Sequence, residues 1–128
     1  MYKKILLVDD DVDDQVIFLD ALTEITTQVE CITANNGLEA LATLKTLMPL
    51  PSLIFLDLNM PLMNGFECLE KLKKDNQYKK IPVIIFTTSD NPMDVIRAKK
   101  SGADLFFTKT PDFQLLKAKL LEIFKTDF

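Results

Sequence analysis

The sequence predicts an α/β fold in which five short parallel strands alternate with helices in a doubly wound sheet. The strand segments are apolar at every position rather than at alternate positions, which is typical of parallel strands buried on both faces. Longer segments of helical period separate them, and this alternation gives a parallel sheet with right-handed crossovers. In chain order the apolar runs are Ile5–Val8, Val29–Ala34, Leu53–Leu56, Val83–Phe86 and Leu105–Phe107. The run at 29–34 also contains Glu30 and Thr33, so we expect it at an edge of the sheet.

Helix signals follow these runs. Asp13 and Asp14 begin a first helix that carries Phe18 on its apolar face, and the sequence Asn36-Gly37-Leu38-Glu39 resembles a capping box for a second. The third helix is expected to pack through Phe66, Leu69 and Leu72. The fourth begins with Asn91 as N-cap and Pro92 at its first position and ends at Gly102, and Asp112 caps the fifth.

Composition limits the function classes. A chain of 128 residues fits one domain, and a net charge of −4 with lysines scattered among acids disfavours direct binding of nucleic acid. The sequence shows neither a signal peptide nor a stretch of about 18 apolar residues, so we expect no membrane insertion and a cytoplasmic location. Because histidine is absent, His-dependent nucleophilic catalysis and His-ligated zinc are excluded. Cys31 and Cys68 are expected to be small buried or half-buried hydrophobes.

Polar residues follow the strands at one edge of the predicted sheet. Ligands of doubly wound sheets bind beyond the carboxyl ends of the strands, which makes these positions the candidate site. The first strand is followed by Asp9, Asp10 and Asp11, the third by Asp57, the fourth ends in Thr87 and Thr88, and the fifth in Thr108 and Lys109.

The chemistry of this set follows from charge. Clustered carboxylates disfavour full ionisation unless a cation joins them, and hard oxygen ligands favour Mg²⁺, with Mn²⁺ as a substitute. Once a metal balances the charge, one carboxylate can act as a nucleophile toward phosphorus. A nearby lysine and hydroxyl suit the charge of incoming phosphoryl oxygens.

At these residues the sequence resembles a response-regulator receiver domain of two-component signalling. The matching segments span nearly the whole chain and read ILLVDDD, LIFLDLNMPLMNGFE, PVIIFTTSD and GADLFFTKT. The resemblance implies a flavodoxin-like (βα)5 fold with strand order 2-1-3-4-5, and residues 1–128 as a single receiver domain without an output domain. The acidic leader and the TTS segment are most similar to regulators that accompany phytochrome-like and other hybrid histidine kinases.

By that resemblance Asp57 is the phosphoacceptor and Thr87 and Lys109 meet the phosphoryl group. Asp9, Asp10, Asp57 and the backbone carbonyl of Asn59 would hold Mg²⁺. Thr87 and Phe106 would form the switch. The remaining leader acids, Asp11, Asp13 and Asp14, are expected to be solvated or to serve the helix dipole, and Thr88 and Ser89 to lead into the next helix.

Two departures from the family pattern stand out. The lysine is usually followed by proline in a cis peptide bond, whereas Thr110 follows Lys109 here, so a trans bond with a reshaped loop and a strained cis bond are both open. Phe106 lacks the hydroxyl of a switch tyrosine and could turn inward without hydrogen bonding at its tip.

The resemblance implies a signalling switch rather than a turnover enzyme. Its partners would be a histidine kinase or histidine phosphotransfer protein and an unidentified downstream protein, and the chain would be a monomer or a homodimer through the fourth helix, fifth strand and fifth helix. Two alternatives remain. An aspartyl-phosphatase type of enzyme would require a second acid where Asn59 stands, and a degenerate receiver that only binds proteins would not need the intact acids, Thr87 and Lys109.

Overall fold

The computed structural model describes residues 4–126 and 128, in which five strands alternate with five helices. The strands are β1 Lys4–Val8, β2 Glu30–Ala34, β3 Leu53–Leu56, β4 Val83–Thr87 and β5 Leu105–Thr108. The helices are α1 Val12–Ile25, α2 Gly37–Leu44, α3 Gly65–Lys74, α4 Pro92–Lys100 and α5 Phe113–Phe124. No helix within those residues combines the length and apolar composition that a bilayer crossing requires.

All neighbouring strands pair in parallel, and their order across the sheet is β2-β1-β3-β4-β5. The predicted strand order is therefore confirmed, and β2 lies at an edge as its mixed composition indicated. The prediction that the last run is buried on both faces is wrong. Because β5 is the other edge strand, Leu105 is 38% exposed although Phe107 is buried.

The sheet separates two hydrophobic cores, since successive side chains of a strand point to opposite faces. In β1, Leu6 and Val8 join the core beneath α2, α3 and α4, whereas Ile5 and Leu7 join the core beneath α1 and α5. Both faces need apolar side chains, which is the physical reason why the central strands are apolar at every position.

Helix caps direct the chain away from the sheet just beyond the strand ends. A hydrogen bond from a first-turn amide is accepted by each N-cap side chain, namely Asp11, Asn36, Asn91 and Asp112. Because Asp11 is the N-cap of α1, that helix begins at Val12, one residue earlier than predicted. A reciprocal capping box occurs at α3, between Asn64 and Glu67. The connection from β1 to α1 is short, whereas the connection from β3 to α3 spans residues 57–64.

The two cysteines behave as the sequence predicts. Cys68 is buried, Cys31 is half-buried, and both are free thiols. Burial raises the pKa of each thiol to about 12, so neither carries appreciable thiolate at neutral pH. They contribute packing rather than chemistry.

Candidate functional site

Three carboxylates meet at the carboxyl edge of the sheet. β1 and β3 are adjacent, and the Asp57 amide donates to the Val8 carbonyl at 2.9 Å, which brings Asp57 beside the end of β1. One side-chain oxygen each from Asp9, Asp10 and Asp57 lies within 4.8 Å of the others. Asp9 and Asp57 are buried and Asp10 is exposed, so the cluster opens toward solvent on one side.

Lys109 closes the buried side of this cluster. It directly follows β5, and its side chain is only 10% exposed. Its Nζ lies 2.7 Å from Asp9 Oδ2, 2.8 Å from Asp14 Oδ2 and 3.3 Å from Asp57 Oδ2. Burial alone would lower the pKa of Lys109, but the hydrogen bond to Asp14, the close contact with Asp9 and the charges of Asp57 and Asp9 hold it above its ordinary value. The ammonium is therefore a fixed positive charge at neutral pH.

The prediction that Asp14 is only a solvated or helix-dipole acid is wrong. Its carboxylate accepts a hydrogen bond from Lys109 and is only 30% exposed. The available signal was its position four residues before Phe18, because residues at that spacing share a helix face and Phe18 is fully buried. Asp11 is exposed and caps α1, which agrees with the expected role at the helix terminus. Asp13 is exposed, as expected.

Asp9 is the acid of the site whose ionised form is disfavoured by burial. Burial raises its pKa to about 6, even though Lys109 and the Asp11 amide favour the ionised form. The Asp11 amide donates to Asp9 Oδ1 at 3.0 Å. Asp9 Oδ2 contacts the Lys109 ammonium as an ion pair but has no hydrogen-bond partner of suitable geometry. A buried carboxylate oxygen in this state favours an additional positive charge nearby.

The residues present fit a divalent cation. The donors are carboxylate oxygens from Asp9, Asp10 and Asp57, without histidine or thiolate, and such a hard donor set suits Mg²⁺ or Mn²⁺. One of these carboxylates, Asp9, carries the buried Oδ2 that has no hydrogen-bond partner of suitable geometry. Asn59, predicted to add its backbone carbonyl, lies two residues beyond Asp57 and is exposed. Its role stays a prediction.

Thr87 is fully buried at the end of β4 and is linked to Lys109 through the backbone. The Lys109 amide donates to the Thr87 carbonyl at 2.6 Å, and the Thr87 hydroxyl oxygen accepts from the Ser89 amide at 3.4 Å. Ser89 Oγ donates in turn to the Asp94 carboxylate of α4 at 2.6 Å. Thr88 is exposed, and both Thr88 and Ser89 lead toward α4. The structure thus joins Lys109, Thr87 and the start of α4 in one network.

Phe106 and Thr110 occupy the two positions that depart from the family pattern. Phe106 is half-buried and packs against the core beneath α2, α3 and α4. The Lys109–Thr110 bond is trans, so the loop is reshaped and does not contain a strained cis bond at this position. A cis peptide occurs among the described residues at Met48–Pro49. Thr110 Oγ1 accepts from the Asp112 amide at 3.1 Å, so its hydroxyl shapes the loop in place of a proline ring.

Two residues that support the site were not identified from the sequence. Gln15 is buried, and its Nε2 donates to the Asp9 carbonyl and to Asn35 Oδ1. Gly65 lies so close to the site that a Cβ there would approach Leu58 Cα to 2.7 Å and would overlap the Asp57 carbonyl oxygen. The available signals were a polar residue three positions before Phe18, which is buried, and a glycine just after the long loop between β3 and α3.

Comparison with known proteins gives consistent matches. The model of the response regulator receiver domain family matches residues 5–121. Response regulator Rcp1 of Synechocystis is 37% identical over 113 residues, covering 84% of this chain and 77% of Rcp1. Among solved structures, the Mn²⁺-bound form of Rcp1 has a TM-score of 0.88 at 32% identity, covering 98% of this chain and 97% of that one. The phosphorylated cyanobacterial phytochrome response regulator RcpA has a TM-score of 0.87 at 33% identity, with coverage of 96% and 91%.

Proposed function

The chain belongs to the response-regulator receiver family of two-component signalling, and we propose that it accepts a phosphoryl group on Asp57. The donor would be the phosphohistidine of a histidine kinase or histidine phosphotransfer protein. The observation that carries this proposal is the contact between the Asp57 carboxylate and the buried Lys109 ammonium, within a cluster of acids that fits a divalent cation.

We further propose that Mg²⁺ is the working cation, held by Asp9, Asp10, Asp57 and the Asn59 carbonyl. The Mn²⁺-bound form of Rcp1 supports a divalent cation in a similar protein and makes Mn²⁺ a reasonable substitute. When bound, the ion supplies positive charge that offsets the acids and the phosphoryl oxygens. The buried Asp9 carboxylate, which now contacts only the Lys109 ammonium as a positive charge, then gains a second one.

In the proposed transfer, a carboxylate oxygen of Asp57 attacks the phosphorus. An O–P bond forms, the P–N bond of the donor breaks, and its electron pair stays on the departing imidazole. Lys109 is already charged and needs no proton transfer to stabilise the new oxygens. Thr87 would donate its hydroxyl hydrogen to the same group. Later attack by water would return the carboxylate, with Asn59 and Ser89 affecting the lifetime.

The proposed output is a change in the surface formed by α4, β5 and α5. Movement of Thr87 and Lys109 toward the phosphoryl group would let Phe106 turn inward. α4 is suited to respond, since Ala98 is its only fully buried residue among those described. A downstream protein, or a second copy of the chain, would read this surface, and we place residues 1–128 in the cytoplasm as one receiver domain. We expect switching rather than turnover of small phosphoesters.

The test is phosphorylation by a small phosphodonor such as acetyl phosphate in the presence of Mg²⁺. We expect one acid-stable, base-labile phosphoryl group on the wild-type protein and none on Asp57→Ala. Asp13→Ala is the matched control, because Asp13 is an exposed acid in the same region and should leave labelling intact. Label retained on Asp57→Ala would remove Asp57 from the role.

A further inference from the structure

We propose that Asp14 is a positioning residue that holds Lys109 away from the phosphoryl group and so sets how strongly the site binds it. This inference rests on the proposed function of Asp57. Asp14 touches neither the phosphoryl group nor the metal in this proposal. It acts through Lys109 alone.

The Lys109 ammonium contacts three carboxylates, of which Asp9 (2.7 Å) and Asp57 follow strands and Asp14 belongs to α1. Asp14 Oδ2 approaches it from the first turn of α1 at 2.8 Å, whereas Asp57 Oδ2, from the end of β3, lies farther away at 3.3 Å. Asp14 is not a member of the three-carboxylate cluster that fits a cation. A cation bound at that cluster would therefore offset Asp9 and Asp57 but leave the hold of Asp14 on Lys109 intact.

Asp14 itself is held in place. Its backbone amide donates to the Asp11 side chain at 3.2 Å, which is the N-cap bond of α1. α1 packs on the sheet through Phe18, Ala21 and Leu22, so its first turn is anchored on the side that faces the site. The carboxylate consequently keeps its place when the groups on the strand ends change.

Phosphorylation creates a competition for one ammonium. Asp57 would gain a phosphoryl group with nearly two negative charges, and Lys109 would have to turn toward the new oxygens. The charge-assisted hydrogen bond between Lys109 and Asp14 opposes this movement. Asparagine at position 14 keeps an acceptor oxygen and the side-chain size but removes the charge. Lys109 is then freer to pair with the phosphoryl group.

The experiment measures binding of fluoroberyllate, a phosphoryl analogue, with Mg²⁺ at a fixed saturating concentration. Because the chain has no tryptophan, amide chemical shifts of Thr87 and Lys109 serve as the readout. We expect Asp14→Asn to bind fluoroberyllate about three- to fivefold more tightly than wild type, the upper part of the range for exposed ion pairs. Asp13→Asn makes the same change in net charge in the same helical turn, and it should stay within about twofold of wild type.

A second readout follows the Asp14–Lys109 contact itself. In the metal-free protein, the Lys109 ammonium hydrogens should exchange with water faster in Asp14→Asn than in wild type or Asp13→Asn. A role for Asp14 in the helix dipole alone would alter stability but neither of these measurements. Equal affinities for Asp14→Asn and Asp13→Asn, or unchanged exchange, would overturn the positioning role while Asp57 chemistry stands. Absence of fluoroberyllate binding to the wild type would overturn the proposed function and this inference with it.

Discussion

Replacing Asp9 with asparagine is expected to stabilise the metal-free protein, although Asp9 belongs to the proposed metal site. Burial raises the pKa of Asp9 from its ordinary 3.8 to about 6, so keeping it ionised at neutral pH costs folding free energy. At about 1.36 kcal/mol for each pH unit between the two values, that cost is at most about 3 kcal/mol. Asparagine has the same shape and removes it.

That cost already includes the attraction between Asp9 and Lys109. The expected net gain is smaller for another reason: an asparagine whose oxygen accepts from the Asp11 amide turns its amide nitrogen toward the Lys109 ammonium. Lys109 nevertheless keeps its contacts with Asp14 and Asp57. The amide oxygen of the new side chain can still accept from the Asp11 amide, as Asp9 Oδ1 does. We therefore expect Asp9→Asn to raise the free energy of unfolding at pH 7.5 by about 1–2 kcal/mol.

The sign of the pH dependence follows from the raised pKa. A group protonated more readily in the folded state contributes stability below its unfolded pKa, and that stability is lost as pH rises through the folded pKa. The contribution of Asp9 is thus present below pH 3.8 and lost by about pH 6. The advantage of Asp9→Asn should be near zero at pH 3.5, grow between these values and stay constant above pH 6.

Urea unfolding followed by circular dichroism provides the assay, with and without Mg²⁺. Saturating Mg²⁺ should stabilise the wild type at pH 7.5 and reduce the difference between the proteins, since asparagine supplies a weaker ligand. Asp13→Asn is the control for loss of an exposed charge and should change stability by less than about 0.5 kcal/mol. A destabilised Asp9→Asn at pH 7.5, or a gain equally large at pH 3.5, would refute the reasoning.

Two further changes test the backbone around Asp57. Gly65→Ala should lower the free energy of unfolding by about 1–3 kcal/mol and weaken Mg²⁺ binding, because the added Cβ overlaps the Asp57 carbonyl and Leu58 Cα. Urea unfolding measures the first effect and a calorimetric Mg²⁺ titration the second. A variant unchanged in both would contradict the close packing. Leu62→Gly should stabilise the chain by about 1 kcal/mol in the same melts, since Leu62 has φ of 66° and is 79% exposed, whereas Leu62→Ala keeps the unfavourable φ and should give no such gain.

The sequence was sufficient for most of the fold because the strands and helix starts are local signals. Runs apolar at every position identify parallel strands, and Asn91-Pro92 or Asp112 mark helix starts through hydrogen bonds within a few residues. The position of β5 at an edge is not contained in its local pattern and follows only from the strand order that the family resemblance implies. Which strand ends the sheet depends on the order of pairing, and Leu105–Phe107 reads the same in either place.

The candidate site was predictable where strands determine it and not where a helix does. Asp9, Asp10, Asp57 and Lys109 follow strands, so their convergence follows from the parallel sheet alone. Asp14 reaches Lys109 only because of how α1 sits on the sheet, across 95 residues of sequence. The sequence DDDVDD does not show which of its acids points toward the site and which points to solvent.

Because Phe106 has no hydroxyl, the proposed switch must act on α4 through the main-chain and hydroxyl contacts of other residues. The Thr87 hydroxyl oxygen accepts from the Ser89 amide, and Ser89 Oγ donates to Asp94 in the first turn of α4. If Thr87 turns its hydroxyl toward a phosphoryl group, this chain of hydrogen bonds must rearrange. α4 buries only Ala98 fully among its described residues, so little packing opposes its displacement. Phe106 would then fill space that α4 vacates rather than pull the helix by a hydrogen bond of its own.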